Sequence, residues 1–127
     1  MTGAEHQRIT EAIAKAEAGT TGKVAIRIVP EADADALARA KAEFMKAGLH
    51  RHEARNVALI LVAPKARSFA IVGDQAFHES VGDAFWQNLV AEAQPYFARG
   101  QITDGIIFAT DRLGETLRSH FPRAETG

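Results

Sequence analysis

The chain has 127 residues, of which 46% are hydrophobic and 24% charged, and its formal net charge is -1. This length suits one globular domain and is too short for two, and a near-neutral charge provides no positive field that would attract nucleic acid. Cysteine is absent from the sequence, which excludes disulfides and thiolate chemistry. No stretch approaches the roughly 20 apolar residues that cross a bilayer, and the amino-terminal residues lack the apolar stretch of a signal peptide. We therefore expect a cytoplasmic protein with one domain over residues 1–127, a core over about 4–122, no membrane span and no nucleic-acid partner.

The amino-terminal part of the chain predicts a helix followed by a strand. Thr2 and Glu5 have the spacing of a capping box, and apolar residues then recur at helical spacing up to Gly19. After a turn, side chains alternate over residues 24–29 until Pro30, which favours a strand. The helix is amphipathic, so we expect it to lie on a sheet.

A second helix is predicted over about residues 34–47, with an apolar face made of Leu37, Ala40 and Phe44. Asp33 or Asp35 can cap its amino-terminal end. These two residues also have the Asp-x-Asp spacing of aspartyl-phosphate enzymes. Capping is the favoured interpretation, because the helical pattern continues directly from them.

Two strands follow each other closely in the middle of the chain. Residues 57–63 are apolar throughout, which is typical of a strand covered on both faces. Only residues 64–67 separate this run from the apolar run at 68–72. Four residues allow a hairpin but no crossover, so the two strands should pair antiparallel.

The last part of the chain predicts two helices. One carries apolar residues at helical spacing from Phe85 to Phe97, and the other can be capped by Thr103 or Asp104 and is terminated by Pro122. The predicted order is therefore αβαββαα. The fold class is α/β, a three-layer α/β/α sandwich with a small mixed sheet.

Three blocks of sequence carry a resemblance to a known family. They are Arg55-Asn56 before the 57–63 strand, Ile71-Val72-Gly73-Asp74 with Val81, Phe85 and Trp86, and Phe97-Ala98-Arg99-Gly100 with Gly105-Ile106, Gly114 and His120-Phe121-Pro122. In this order and spacing they resemble the TPM domain family, which includes thylakoid photosystem-repair proteins and many bacterial proteins. The resemblance covers about residues 9–122 and implies a link to acid phosphatase activity. The chain departs from the family at Val57 and Ala76, where the resemblance would favour glycine.

The segment 73–83, directly after the third strand, is the strongest candidate site. It carries Asp74, His78, Glu79 and Asp83 at the carboxyl end of a strand, where α/β folds commonly bind ligands. Oxygen ligands favour Ca²⁺ or Mg²⁺, so Asp74, Glu79 and Asp83 are the predicted metal ligands. A simpler interpretation stays open, in which Asp74 caps the following helix while His78 and Glu79 are solvated.

Other polar and aromatic residues favour structural roles. The run His50-Arg51-His52-Glu53 resembles a metal cluster, but its position on an irregular connector predicts a solvent-facing loop. Trp86 and Phe85 are predicted as core or interface anchors, because no basic residues interleave with them.

Three functions stay open from the sequence. The first is a binding or scaffold module with a protein partner and a bound divalent metal. The second, implied by the family resemblance, is a weak acid phosphatase acting on phosphate monoesters, with Asp74 or His78 as nucleophile or base and Arg55 and Arg67 as the clamp on the phosphate. The third is a structural domain that serves a membrane-associated partner. Because no catalytic constellation is evident, the sequence does not decide whether the chain is an enzyme.

Overall fold

The computed structural model describes residues 1–30 and 35–124, in which helices flank a small sheet. In chain order the elements are α1 (Gly3–Glu17), β1 (Lys23–Ile28), α2 (Ala36–Lys46), β2 (Val57–Ala63), β3 (Ser68–Gly73), α3 (Gln75–Val81), α4 (Asp83–Ala98) and α5 (Ile102–His120), with 3-10 turns at Leu49–Arg51 and Pro64–Ala66. The predicted α/β class and mixed sheet are confirmed. No helix within the described residues combines the length and apolarity needed to cross a bilayer.

The sheet has the strand order β1-β2-β3, with β2 in the centre. β1 pairs parallel to β2, and the connection between them contains α2. β2 pairs antiparallel to β3, as the four-residue connection predicted. All seven residues of β2 are buried, which agrees with its uninterrupted apolar sequence.

Successive side chains of β2 point to opposite faces of the sheet. On one face, Ala58, Ile60 and Val62 pack in a cluster with residues of α1, α4 and α5. On the other face, the alternate residues Val57, Leu59, Leu61 and Ala63 pack in two smaller clusters with residues of α2. α2 thus covers one face of the sheet, next to the point where β3 ends.

α1 and α5 pack closely along their length. The predicted capping box of α1 is present, because Thr2 Oγ1 accepts a hydrogen bond from the Glu5 N–H and Glu5 Oε1 accepts one from the Thr2 N–H. A Cβ atom at Gly114 of α5 would lie 2.6 Å from the Ala16 Cα atom of α1. Only a glycine at this position allows the two helix backbones to come so near.

The predicted amino-terminal cap of α2 is present, whereas the predicted cap of α5 is not. Asp35 caps α2 by accepting a hydrogen bond from the Ala38 N–H at 3.0 Å, whereas Asp33 lies outside the described residues. The prediction that Thr103 or Asp104 caps α5 is wrong, because α5 begins at Ile102. Both side chains bind α1 instead: the Thr103 hydroxyl donates to Glu5 Oε2 at 2.5 Å, and Asp104 pairs with Arg8 at 2.9 Å.

The structure has one helix more than predicted, because the segment after β3 breaks at Gly82. This residue has φ +76° and ψ 174°, a conformation that residues with a side chain rarely adopt. α3 ends before it and α4 begins after it, so the order is αβαββααα. The break places Asp74 just before one helix and Asp83 at the first position of the next.

Candidate functional site

A cavity of about 490 Å³ lies between α2, the end of β3 and the turn that joins α3 to α4. Its apolar lining comprises Leu37, Phe44, Met45, Ile71, Val72 and Trp86, and its polar lining comprises Lys41, His50, Arg55, Asp74, His78 and Asp83. Small-molecule sites have volumes of roughly 300–1,000 Å³ and combine apolar walls with a few convergent polar groups. The cavity has both properties.

α2 presents an exposed apolar edge to this cavity. Leu37 is 48% and Met45 56% exposed, and Lys41 lies between them at helical spacing. Leu37 was predicted to share an apolar face with Ala40 and Phe44, and of these three residues only Ala40 and Phe44 are buried. The sheet covers only part of the apolar stripe of α2, and the uncovered part borders the cavity.

At the polar end of the cavity, Arg55 and Asp74 form a bidentate ion pair. Arg55 Nε lies 2.6 Å from Asp74 Oδ2, and Arg55 Nη2 lies 2.9 Å from Asp74 Oδ1. The Gln75 N–H also donates to Oδ1 at 2.8 Å. Asp74 therefore caps α3, as the simpler of the two interpretations of the sequence predicted. The hydrogen bonds from Arg55 lower the pKa of Asp74 below its usual value, although burial opposes this shift. Asp74, only 7% exposed, is therefore an ionised carboxylate with both oxygens engaged.

The backbone around Arg55 fixes the position of this pair. Arg55 has φ +53°, in the left-handed region that only a few per cent of non-glycine residues adopt. Its carbonyl oxygen accepts a hydrogen bond from the Ala76 N–H at 3.0 Å, and the Val57 carbonyl accepts one from the Asp74 N–H at 2.9 Å. Ala76 and Val57, the two departures from the family pattern, thus hold the ends of the pair through their main-chain groups.

His78 joins α3 to α4 at the rim of the cavity. Its Nδ1 accepts a hydrogen bond from Trp86 Nε1 at 3.1 Å, and its Nε2 lies 3.3 Å from Asp83 Oδ1. Because Nδ1 accepts, the ring proton of neutral His78 belongs on Nε2, where it faces Asp83. His78 is half exposed, yet both of its nitrogens have partners.

His50 belongs to the loop that was predicted to face solvent; Arg51 and Glu53 of this loop are exposed, whereas His50 is partly buried. It lies in the 3-10 turn after α2 and lines the cavity. Its Nδ1 atom is buried and has no hydrogen-bond partner within residues 1–30 and 35–124, which is uncommon for a buried polar group. His52, two residues later, places Nε2 3.0 Å from the Thr21 carbonyl oxygen.

The structure brings four of the predicted site residues to one cavity: Arg55, Asp74, His78 and Asp83. Glu79 is exposed, outside the cavity lining, and pairs with Gln75 on the surface of α3. Arg67 lies before the first residue of β3, at the opposite end of the strand from Asp74 and roughly 20 Å from it. Arg67 donates there to the Ala98 carbonyl oxygen at 3.2 Å, so it cannot act on a group bound at Asp74.

The predicted metal ligands have separate partners. Asp74 binds Arg55, Asp83 faces His78, and Glu79 binds Gln75. Within residues 1–30 and 35–124, no group of three or more histidine or acidic side chains is arranged to hold a metal ion. A calcium or magnesium ion at Asp74 would therefore compete with the Arg55 guanidinium for the carboxylate.

A comparison with protein-family models finds a match over most of the chain. The family model of the TPM domain matches residues 1–116. The chain belongs to the TPM domain family. No curated protein matches this TPM domain.

Solved structures similar to this TPM domain include the BA42 protein of the psychrophilic bacterium Bizionia argentinensis, with 27% identity, a TM-score of 0.89, and coverage of 98% of this chain and 86% of that one. The amino-terminal domain of the cg2496 protein from Corynebacterium glutamicum is 15% identical, with a TM-score of 0.74 and coverage of 100% and 78%. The amino-terminal domain of a P. gingivalis protein is 12% identical, with a TM-score of 0.79 and coverage of 98% and 83%. The last two support the fold alone.

Proposed function

We propose that this TPM domain is a binding module, and that the cavity between α2, β3 and the α3–α4 turn accepts an apolar group of its ligand. The observation that carries the proposal is the pair of exposed apolar side chains, Leu37 and Met45, on the lining of a cavity that also contains Trp86. Fully burying a side chain of this size contributes about 1.5–3 kcal/mol, and because Leu37 and Met45 are about half exposed, covering each contributes about 0.8–1.5 kcal/mol. The Arg55–Asp74 pair gives the same cavity a fixed polar end.

Phosphoryl transfer, which the family resemblance implies, has less support from the geometry. A carboxylate nucleophile needs an oxygen that is able to approach phosphorus, but both oxygens of Asp74 accept hydrogen bonds from Arg55. Arg67, the second predicted clamp, lies at the other end of β3. A binding role requires neither group to move.

The single tryptophan of the chain provides a direct test of binding. Trp86 lines the cavity, so titration with 1-octanol should change its fluorescence and shift the amide resonances of cavity residues. Replacing Met45 by glutamine should weaken 1-octanol binding several-fold, because about 0.8 kcal/mol is lost for each CH₂ group that is no longer buried.

Ile28 supplies the matched control, because it is an exposed apolar residue, 39% accessible, that does not line the cavity. The Ile28→Gln variant should bind 1-octanol as the wild type does. Equal losses in both variants, or no response of Trp86 to 1-octanol, would rule out the cavity as the binding site.

The phosphatase alternative has its own assay. Wild type and Asp74→Asn are compared on an aryl phosphate, and the binding proposal expects no hydrolysis by either. Hydrolysis that the wild type performs and Asp74→Asn loses would replace the proposal with the phosphatase function.

A further inference from the structure

The Arg55 guanidinium has hydrogen-bond donors left after it has paired with Asp74. A guanidinium carries five N–H donors in a planar fork. Asp74 takes one from Nε and one from Nη2, which leaves one on Nη2 and two on Nη1. Arg55 has no second acid partner within the described residues, its side chain is 43% exposed, and it lines the cavity. Its unused edge can receive a second carboxylate in the same bidentate way.

Two further groups in the cavity lack partners. Lys41, on the cavity edge of α2, forms no ion pair or hydrogen bond within the described residues. His50 Nδ1 also has no hydrogen-bond partner among the described residues, but this atom is buried and is a donor in only one tautomer. By contrast, the two acidic residues of the lining are engaged, Asp74 by Arg55 and Asp83 by His78. The cavity therefore offers donors in excess of acceptors, which favours an anionic ligand.

The balance of charge limits that anion to a single negative charge. Arg55 and Asp74 neutralise each other, and Asp83, which is 84% exposed, faces His78 at the rim. Because neutral His78 does not cancel the charge of Asp83, the described part of the lining carries two cations and two carboxylates, and Lys41 is the cation that has no carboxylate partner there. One cation and a planar donor edge suit a carboxylate, whereas a phosphate dianion would retain unbalanced charge.

The remaining lining defines the body of the ligand. Leu37 and Met45 lie on the α2 side of the cavity and Trp86 on the α4 side. These groups provide no charge and can stabilise only hydrocarbon or aromatic groups. The ligand thus needs one carboxylate and one apolar part.

We propose that the cavity binds a small apolar carboxylic acid in its ionised form. The carboxylate lies against Arg55 and Lys41. The hydrocarbon part lies between Leu37, Met45 and Trp86. This assignment rests on the proposed binding function and adds the chemical class of the ligand.

Four probes test the assignment: octanoate, 1-octanol, octylammonium and inorganic phosphate. Their affinities are measured from Trp86 fluorescence and amide shifts. Octanoate should bind about tenfold more tightly than 1-octanol, because the charge-assisted contacts are available to the carboxylate alone. Octylammonium and phosphate should bind more weakly than octanoate.

Two lysines on α2 provide a matched pair of variants. Lys41 lines the cavity, whereas Lys46 is exposed on the same helix and does not line it. Lys41→Gln should weaken octanoate several-fold and 1-octanol much less, and Lys46→Gln should leave both affinities unchanged. Both positions are exposed, and circular dichroism confirms that the variants fold.

The outcomes separate the two proposals. If octanoate and 1-octanol bind equally well, or if octylammonium or phosphate binds best, the carboxylate assignment is overturned while the binding function stands. An equal loss of octanoate affinity in the two lysine variants also overturns it, because the effect would then be one of net charge. If none of the four probes binds, both proposals fail.

Discussion

Replacing Gly73 by alanine should destabilise the protein, because the added methyl group would overlap the Trp86 ring. A Cβ atom at position 73 would lie 2.4 Å from Trp86 Cζ2 and 2.5 Å from Cη2, whereas carbon atoms in contact are about 3.5–4.0 Å apart. The indole must therefore move by about 1 Å. Overpacking of this kind costs about 1–3 kcal/mol, and the reduced freedom of the unfolded chain offsets about 0.4–1 kcal/mol of it. The net loss in the free energy of unfolding should be about 1–2 kcal/mol.

Urea unfolding followed by circular dichroism measures this loss, and two comparisons identify its cause. Gly3→Ala is the control for the glycine substitution itself, because a Cβ atom there meets nothing within 4 Å. Trp86→Phe removes the Cζ2 and Cη2 atoms, so Gly73→Ala should cost little in that background. The difference between the two backgrounds is the coupling between the positions. If Gly73→Ala costs the same in both, contact with the indole is not the reason.

Three further predictions concern packing and charge. Gly114→Ala should lower the free energy of unfolding by about 1–3 kcal/mol, because its Cβ atom would lie 2.6 Å from the Ala16 Cα atom; a higher urea midpoint would contradict the close helix contact. Phe77→Ala should cost about 3–5 kcal/mol in the same assay, since Phe77 is fully buried, and a loss below about 1 kcal/mol would contradict its place in the core. The pKa of Asp74 is lower in the folded protein than its usual value, chiefly through Arg55. Its contribution to stability is therefore complete above the usual aspartate pKa and is lost as the pH falls through the lowered value. Urea midpoints measured below about pH 5 should fall less steeply for Asp74→Asn than for the wild type, and parallel curves would exclude this linkage.

Where local sequence determines local structure, the fold could be predicted. The β2 run, with its seven apolar residues, gave the strand bounds and its cover on both faces, and the short connection to β3 gave the antiparallel pairing. Predictions that depended on distant partners were less successful. Thr103 has the chemistry of a cap, but Glu5 binds its hydroxyl from another helix. The helical spacing of apolar residues continues on both sides of Gly82. The helix nevertheless breaks there, because the backbone conformation of Gly82 ends it, and hydrophobic spacing does not report that conformation.

The candidate site could be predicted in part for the same reason. Asp74, His78 and Asp83 follow a strand, so topology alone brings them to its end. The α2 side of the cavity could not be inferred, because the helical period does not tell which part of the apolar stripe the sheet leaves uncovered. His50 was missed because burial of Nδ1 depends on the turn that places its ring.

The contact between α1 and α5 also has a consequence for how the chain folds during synthesis. Glu5 and Thr103 are in contact although 98 positions separate them, so α1 leaves the ribosome long before its main packing partner exists. Until α5 has been made, the sheet face formed by Ala58, Ile60 and Val62 lacks much of its cover. Contacts of such long range slow folding, and exposed apolar surface favours aggregation in the meantime. The nascent domain should therefore become resistant to protease only when its last helix is released.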